Sequence, residues 1–469
     1  MISRISIKNF KSIVSASCRL GEFNVLVGAN GSGKSNLIKC LDFVSDITKT
    51  DLGRAVNIHG GFEGIIPKKY SRKEYNRKRI EIDYDFKMPS IPVKGNKQPD
   101  YFTVNHGFEL ANTKTYPARV MNEWLHMEKI RSLALFISTG LKEGVKKDEV
   151  DNDDTSFFVS RGSQGAIDFN VYPNYDSLTN EQWLEWFNLQ YLRDKNVNIK
   201  EILDIIKRRS RVRGEEGQYL DKRKENNLRK YHTFTDPSFP FLLDNTAQFY
   251  GFSNLLGGIR RYDLVLSNLR SEQKVDTSNQ LSADGNNVPT ILRDFVSDPS
   301  WKPSLNRIID SFSAIAPHIN GMEAKDLRTG KEFIEFIEEQ TGRGVESWES
   351  SDGSLRALSI MLAVESHPRL GTVLIEEPEQ NLHPWAIRTL VAHLKEVAKE
   401  RSLQVIITTH SQQVLEVIDP ENLIIASRTK EDGTVFNNLC DLMDKDRINM
   451  GEIGRLWVKG LLGGVPDYE

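Results

Sequence analysis

The stretch NVLVGANGSGKSNLIKCL, residues 24–41, decides the reading of this chain. An apolar run ends in a loop of small residues, and a run with helical spacing follows at once. Gly28-x-x-x-x-Gly33-Lys34-Ser35, directly after a strand and directly before a helix, is the context a phosphate-binding loop requires. Gly28, Gly31 and Gly33 permit the tight turn that lets successive N–H groups face a polyphosphate. Lys34 would reach the β- and γ-phosphates and Ser35 would ligate Mg²⁺. Asn30 lies where its N–H or side chain can touch the γ-phosphate.

Working outward, residues 1–48 read as strand, turn, strand, loop and helix. Residues 370–440 read similarly: GTVLIEE is a buried strand, PWAIRTLVAHLKEVAKE an amphipathic helix, and LQVIITTH another buried strand. Alternating β and α units with near-continuous apolar strands predict an α/β sheet covered on both faces.

Two of those strands end in groups that suit a loop of this kind. TVLIEEPEQNLHP closes an apolar run with Glu376 and Glu377. Hydrolysis of a nucleotide on a phosphate loop needs one carboxylate for Mg²⁺, through water, and another to polarise the attacking water. Glu376 suits the first role and Glu377 the second. His410 follows the VIITT strand, where a histidine can sense the γ-phosphate and orient the water. By itself a strand-end histidine reads more often as structural, and the loop and the carboxylates reverse that weighting.

SWESSDGSLRALSIML, residues 347–362, puts a Ser-Asp-Gly-Ser turn before an apolar run. Ser354 or Asp352 would cap a helix running through Leu355, Leu358, Met361 and Leu362. Small residues, backbone N–H groups and a helix N-terminus also suit an anion.

Bulk properties narrow the rest. The chain has 469 residues, 39% hydrophobic and 27% charged, with a net charge of −3, which argues against a generally basic nucleic-acid binder. Cys18, Cys40 and Cys440 form no C-x-x-C pair, so neither a disulfide framework nor a zinc knuckle is expected, and a reducing compartment is. No apolar run approaches 18 residues and the N-terminus carries no signal pattern, so no membrane association and a cytoplasmic location are expected.

The middle of the chain differs. RIEIDYDFKM and YFTVNHGFELANTKTYPARVM read as strands and a hairpin with Asn112 and Thr113 in its turn. Residues 140–156 are charged and apolar-poor, the composition of a disordered tip, and 198–231 reads as a charge-dense helix without a sustained heptad series. KKYSRKEYNRKR (68–79) interleaves Tyr70 and Tyr75 with basic residues, and KRRSRVRG (207–214) is a second basic run. A solvated face is the plainer reading of both; a phosphate-backbone contact is the other.

The order of motifs carries a resemblance. Loop 28–35, turn 351–354, Glu376-Glu377 and His410 together resemble the ABC-type ATPase heads of the SMC, RecF and OLD-like superfamily. ISRISIKNFKSI, GIRRYDLVLSNLR, LSADGNNVPTILRDF, SSDGSLRALSIMLAV, LIEEPEQNLHPWAI, VIITTHSQQVLEVI and MGEIGRLWVKGLLGG are similar, in order, to RecF-like AAA-family ATPases of prokaryotic defence loci. The resemblance covers roughly residues 1–65 and 250–469. It implies an ABC-type P-loop ATPase head (1–65 and 251–469) carrying a large inserted α+β lobe (66–250). It implies ATP and Mg²⁺ as cofactors and a homodimer or higher homo-oligomer. In that arrangement Ser351, Gly353 and Ser354 serve the nucleotide of the opposite protomer, and Glu379 to His383 line the interface.

Three departures stand out. The metal-side acid is Glu376 rather than aspartate, the signature reads Ser-Asp-Gly-Ser rather than Ser-Gly-Gly, and the glutamine that usually links nucleotide to lobe has only Gln164 and Gln248 as candidates. The chain stops about 60 residues after His410 without the Asp-x-Asp of a Toprim nuclease, and Asp441, Asp444 and Asp446 read as solvated acids. A nuclease, Toprim type favoured, is therefore expected on another chain. The family reading makes this chain an anti-phage sensor that holds such an effector until a phage trigger protein appears. A DNA-repair ATPase coupled to duplex DNA is the alternative.

Overall fold

A computed structural model describes residues 1–50, 52–70, 74, 78–89, 101–112, 118–128, 156–162, 167–172, 256–327, 329–429, 433–443 and 450–463. The chain divides into two units, one of Met1 with residues 18–42 and 258–469, the other of residues 2–17 and 43–257. The predicted charged tip, the helix over 198–231, the basic run 207–214, Gln164, Gln248, Asp444 and Asp446 lie outside the described residues.

From the N-terminus, β1 (Ile2–Phe10), β2 (Ile13–Arg19) and β3 (Phe23–Val27) lead to helix α1 (Lys34–Lys49). β2 is an addition to the strand, turn, strand reading. Its IVSASCR pattern is too polar to read as a buried strand, although Ile13 and Cys18 are buried. Short helices α2 (Leu52–Ile58) and α3 (Gly61–Ile65) come next. Five strands follow: β4 (Arg79–Pro89), β5 (Tyr101–Ala111), β6 (Arg119–Glu128), β7 (Ser156–Gly162) and β8 (Ile167–Tyr172).

In the second unit β1, β4, β5, β6, β7 and β8 pair in that spatial order, each antiparallel to the next. Alternation in the sequence explains the faces of β4. Ile80, Ile82, Tyr84 and Phe86 are buried, while Glu81, Asp83 and Asp85 point the other way, as the two-residue strand period requires. Arg4 and Asn105 bind the Asp83 and Asp85 carboxylates on that polar face at 2.6–3.2 Å. Strands β5 and β6 pair antiparallel as read; Asn112 directly follows β5, and Thr113 lies outside the described residues. Tyr70, offered as a nucleic-acid contact, is engaged locally: its hydroxyl donates to Asn9 Oδ1 at 2.7 Å and the Lys78 ammonium lies over its ring.

The first unit continues with β9 (Ile259–Tyr262), α4 (Leu266–Leu269), β10 (Gln273–Lys274), α5 (Val288–Ser297) and α6 (Lys302–Ile315). Strands β11 (Ile319–Leu327), β12 (Lys331–Glu338) and β13 (Gly344–Glu346) lead into helix α7 (Asp352–Ser366). Strand β14 (Thr372–Glu376), helix α8 (Pro384–Arg401), strand β15 (Gln404–Thr409) and the short α9 (Gln412–Leu415) complete the α/β alternation. The pair β16 (Leu423–Thr429) and β17 (Gly433–Asn438), then short α10 (Leu439–Leu442) and α11 (Ile453–Val458), close the unit.

Its main sheet has the spatial order β17, β16, β3, β15, β14, β9, parallel except for β17. Val25, Val27, Val373, Ile375, Val405 and Ile407 join the core cluster with Leu355, Leu358, Met361 and Leu362. Leu26, Leu374 and Ile406, alternate residues of the same strands, are equally buried. Burial on both faces is why these strands read as continuous apolar runs. The predicted α/β class therefore holds, with the antiparallel strands β10–β13 forming a smaller separate sheet.

Helix α7 corrects one local expectation. Its cap is Ser351, whose hydroxyl accepts from the Ser354 N–H at 3.1 Å; Asp352 and Ser354 are already helical. The helix is buried on nearly every side rather than along one stripe. Glu365 is consequently inside, where Arg307 of α6 holds it with two hydrogen bonds of 2.8 Å. Asp441, read as solvated, is half-exposed and pairs with Arg19.

Candidate functional site

Parallel pairing brings the chemistry to one edge of the first unit. Val27 at the end of β3 pairs with Thr409, and Thr408 pairs with Glu376. The loop after β3, the carboxylates after β14 and His410 after β15 therefore leave the sheet side by side. That is where open α/β sheets place their ligand sites.

The loop's conformation depends on its glycines. Gly31 and Gly33 adopt φ of 78° and 107°, which L side chains rarely tolerate. A Cβ on Gly28 would come within 2.2 Å of the Ala426 carbonyl oxygen, and one on Gly33 within 2.1 Å of the Thr434 hydroxyl. Asn30 and Gly31 stand exposed at the crest, and Ser35 is half-buried in the first turn of α1. The Ser32 hydroxyl is buried with no hydrogen-bond partner, an orphaned donor inside a cradle of small residues. Lys34 folds inward, its ammonium donating to the Gly28 and Ala29 carbonyls at 2.8 and 3.1 Å. Burial pushes that ammonium down to about 8, against the pull of Glu377, Glu376 and Glu379. This donor set fits a polyphosphate, and Ser35 with Glu376 supplies the hard oxygens that Mg²⁺ prefers.

Across from the loop, Glu376 forms an ion pair with Arg261 of β9 at 3.1 Å. Glu377 sits at φ 48°, a strained conformation of the kind that gathers at functional sites. Its N–H donates to the Thr408 carbonyl at 3.0 Å. Its Oε2 accepts from Gln380 Nε2 at 2.6 Å, and its Oε1 lies 3.8 Å from His410 Nε2. Burial, then the Lys34 charge, holds the His410 ring below its ordinary value while Glu377 opposes them, so the imidazole is neutral at pH 7.

Glu379, the first residue of the loop 379–383, is half-buried, while Gln380, Asn381 and His383 after it are exposed. Glu379 accepts from the Thr409 hydroxyl and the His410 N–H, and burial raises its carboxyl above the usual range. Its Oε2 and the Nε of Arg356 are both buried without hydrogen-bond partners. Arg356 extends from α7 to the backbone carbonyls of Glu376 and Glu377, at 3.4 and 3.3 Å.

The turn 351–354 is held by different means. Ser351 also donates to the Ser354 hydroxyl at 2.7 Å. Gly353 packs so closely under Asn381 that a Cβ would come within 2.4 Å of its carbonyl oxygen. Arg270, at the end of α4, donates to Asp352 Oδ1 at 2.7 Å, to the Trp348 carbonyl at 2.9 Å and to the Ser350 carbonyl at 2.8 Å. Lys34, Glu376, Glu377 and His410 thus lie near one another at this edge, and the turn's contacts run to Arg270, Asn381 and Leu382. The sequence alone assigns no individual role to Arg261, Arg270 or Arg356, and to Gln380 only a place in the loop 379–383; Arg261 and Arg270 lie within GIRRYDLVLSNLR, Arg356 within SSDGSLRALSIMLAV and Gln380 within LIEEPEQNLHPWAI, stretches that carry the resemblance.

The family described as AAA ATPase domain matches residues 1–415, which spans all four motifs. No curated protein matches the chain. Among solved structures, an Smc head bound to the C-winged helix domain of ScpA covers 94% of this chain and 99% of its own, at 13% identity and a TM-score of 0.39. An Smc head with an extended coiled coil, bound to the C-terminal domain of ScpA derived from Pyrococcus furiosus, covers 94% and 97% at 13% identity and TM-score 0.35. The SMC head domain from Thermotoga maritima covers 93% and 98% at 14% identity and TM-score 0.35. Among the described residues no helix is long and apolar enough to cross a membrane.

Proposed function

Because this chain belongs to the AAA ATPase domain family, and is therefore an ATP-binding ATPase, we propose that loop 28–35 holds the ATP and that Glu377 drives its hydrolysis. The observation that carries this reading is the meeting of Lys34, Glu377 and His410 at the ends of β3, β14 and β15, with Glu377 Oε1 3.8 Å from the His410 ring. Lys34 would leave the Gly28 and Ala29 carbonyls for the β- and γ-phosphates, and the N–H groups around Asn30, Gly31 and Gly33 would take their oxygens. Bound Mg²⁺, held by Ser35 and through water by Glu376, would neutralise charge developing on the phosphates.

Glu377 accepts the proton of a water that attacks the γ-phosphorus as the bond to the ADP oxygen breaks. Gln380 orients that carboxylate through Oε2, and neutral His410 is placed to hydrogen-bond the water or the γ-phosphate. Both residues are positioned before substrate arrives, which is how phosphoryl transfer is chiefly accelerated.

Two copies would then close on two ATPs, with Ser351, Gly353 and Ser354 of each on the γ-phosphate of the other. Closure gains those contacts only while the γ-phosphate is present, so hydrolysis makes the nucleotide a switch. The resemblance to defence-locus ATPases supports the role of that switch: an anti-phage sensor and scaffold that retains a separate effector nuclease until a phage protein is detected. Within that group the lack of heptads favours a PARIS-type system, whose ATPase works with a Toprim nuclease, over a Septu-type system with an HNH nuclease.

Native mass spectrometry of the protein purified from its own locus tests this role. A complex with a second, nuclease-sized chain is the expected result. A bare homodimer whose ATP turnover rises with duplex DNA would replace the defence role with DNA repair.

A further inference from the structure

Turn 351–354 carries an acid where phosphate contact would favour a neutral residue. Asp352 is the first residue of α7, one residue past the Ser351 cap, and lies beside the N–H groups that the proposed function assigns to a partner's γ-phosphate. An unpaired carboxylate there would repel a polyphosphate within a few ångströms.

Arg270 answers that charge and shapes the turn at once. Its Nε donates to Asp352 Oδ1 at 2.7 Å, and its two terminal nitrogens donate to the Trp348 and Ser350 carbonyls at 2.9 and 2.8 Å. Three acceptors along one turn match the planar fork of a guanidinium, which a lysine cannot reproduce. The Ser350 carbonyl faces Arg270, so the N–H of the same trans peptide, that of Ser351, points the opposite way. The side chains of Arg270 and Asp352 are 36% and 38% exposed, so their ion pair adds little to stability. Its consequence lies in charge and orientation instead.

We propose that Arg270 is a positioning residue for trans nucleotide recognition: it neutralises Asp352 and aims the turn's N–H groups, so that a signature containing an acid can accept the γ-phosphate of a second copy of this chain. This inference rests on the two-copy closure proposed above. It explains how the Ser-Asp-Gly-Ser departure is tolerated. The neutralising group is 82 residues away in sequence.

The test is ATP-driven dimerisation of full-length protein carrying Glu377→Gln, followed by sedimentation velocity, with ATP binding to dilute monomer measured beside it using a fluorescent analogue. Adding Arg270→Ala should leave monomer ATP affinity within about twofold and weaken dimerisation about tenfold or more, the loss expected for charge-assisted hydrogen bonds. Adding Asp352→Asn to Arg270→Ala should recover part of the dimer, because the uncompensated charge is gone. A merely structural arginine would not be rescued in this way. Unchanged dimerisation in the Arg270→Ala variant, or no recovery with Asp352→Asn, overturns the inference. Should Arg270→Ala fail to fold, Arg270→Lys decides: it keeps the charge but not the fork, so an intermediate dimerisation constant is expected and wild-type behaviour overturns the proposal. The parent reading fails separately, if the Glu377→Gln protein does not dimerise with ATP or if Ser351→Arg leaves its dimerisation intact.

Discussion

Loop 28–35 and turn 351–354 are both short, glycine-bearing and set before a helix, yet they are held in place differently. The loop is shaped by its own backbone: Gly31 and Gly33 at positive φ, and Gly28 and Gly33 in contact with the strand pair β16–β17 where no Cβ fits. The turn is shaped by side chains reaching in from elsewhere, the Ser351 cap locally and Arg270 from a distant segment. A site made of backbone is written in consecutive residues, whereas one made by a guanidinium depends on the tertiary fold. The first therefore tolerates least where a glycine is replaced, and the second where a charge is removed.

The largest expected effect separates chemistry from both anchors. Glu377→Gln should lower ATP turnover about 10²- to 10⁴-fold, the contribution of a positioned general base, while ATP still binds. Single-turnover kinetics checks it, and normal turnover would move the base to another residue. Lys34→Ala should weaken ATP binding about 10- to 100-fold, the loss of a charged donor to phosphate, as read by calorimetry. Retained affinity would place the nucleotide away from loop 28–35.

A matched glycine pair sharpens the contrast. Gly33→Ala meets both a positive φ and the Thr434 side chain, a strain on the order of 1–3 kcal/mol, and should reduce ATP binding by the isolated monomer. Gly353→Ala has no positive φ to strain and meets the Asn381 carbonyl and the Leu382 side chain, away from loop 28–35, so monomer binding should persist while ATP-driven dimerisation declines. Equal behaviour of the two variants would remove the distinction. Smaller still, Ser351→Ala should cost about 1 kcal/mol through loss of the cap on α7, measured by denaturant unfolding.

The smallest effect is a proton. Lys34 has a folded value near 8, and a bound polyphosphate favours its charged form. ATP binding should therefore take up almost no proton at pH 6.5, where Lys34 is already charged, and a fraction of one at pH 8. Affinity falls correspondingly as pH rises through 8. Calorimetry in buffers of different ionisation enthalpy measures the uptake, and its disappearance in Lys34→Ala assigns it.

Much of the candidate site was legible without coordinates because strand ends and loops are local. The apolar runs VLV, TVLI and VIITT announced parallel strands buried on both faces, and the residues just past them are the ones that meet. The less legible parts have physical reasons. β2 is a half-exposed strand whose alternation is diluted by serines. Nothing in the sequence marks Glu365 as buried, because Arg307, its counter-charge, sits 58 residues earlier. Tyr70 read as part of a run able to contact a phosphate backbone, because the partner of its hydroxyl, Asn9, is 61 residues upstream.

By itself the amino-acid sequence determined the α/β class, the phosphate loop with its glycines, and the order in which Lys34, Glu376, Glu377 and His410 arrive, since each depends on residue type and short spacing. Tertiary structure alone decided that Glu376 is paired with Arg261, that Glu377 is strained and held by Gln380, that Glu379 is half-buried, and that Arg270 neutralises Asp352. Electrostatic partners are chosen by distance in space, and a folded chain brings together charges whose separation in sequence carries no signal of their meeting.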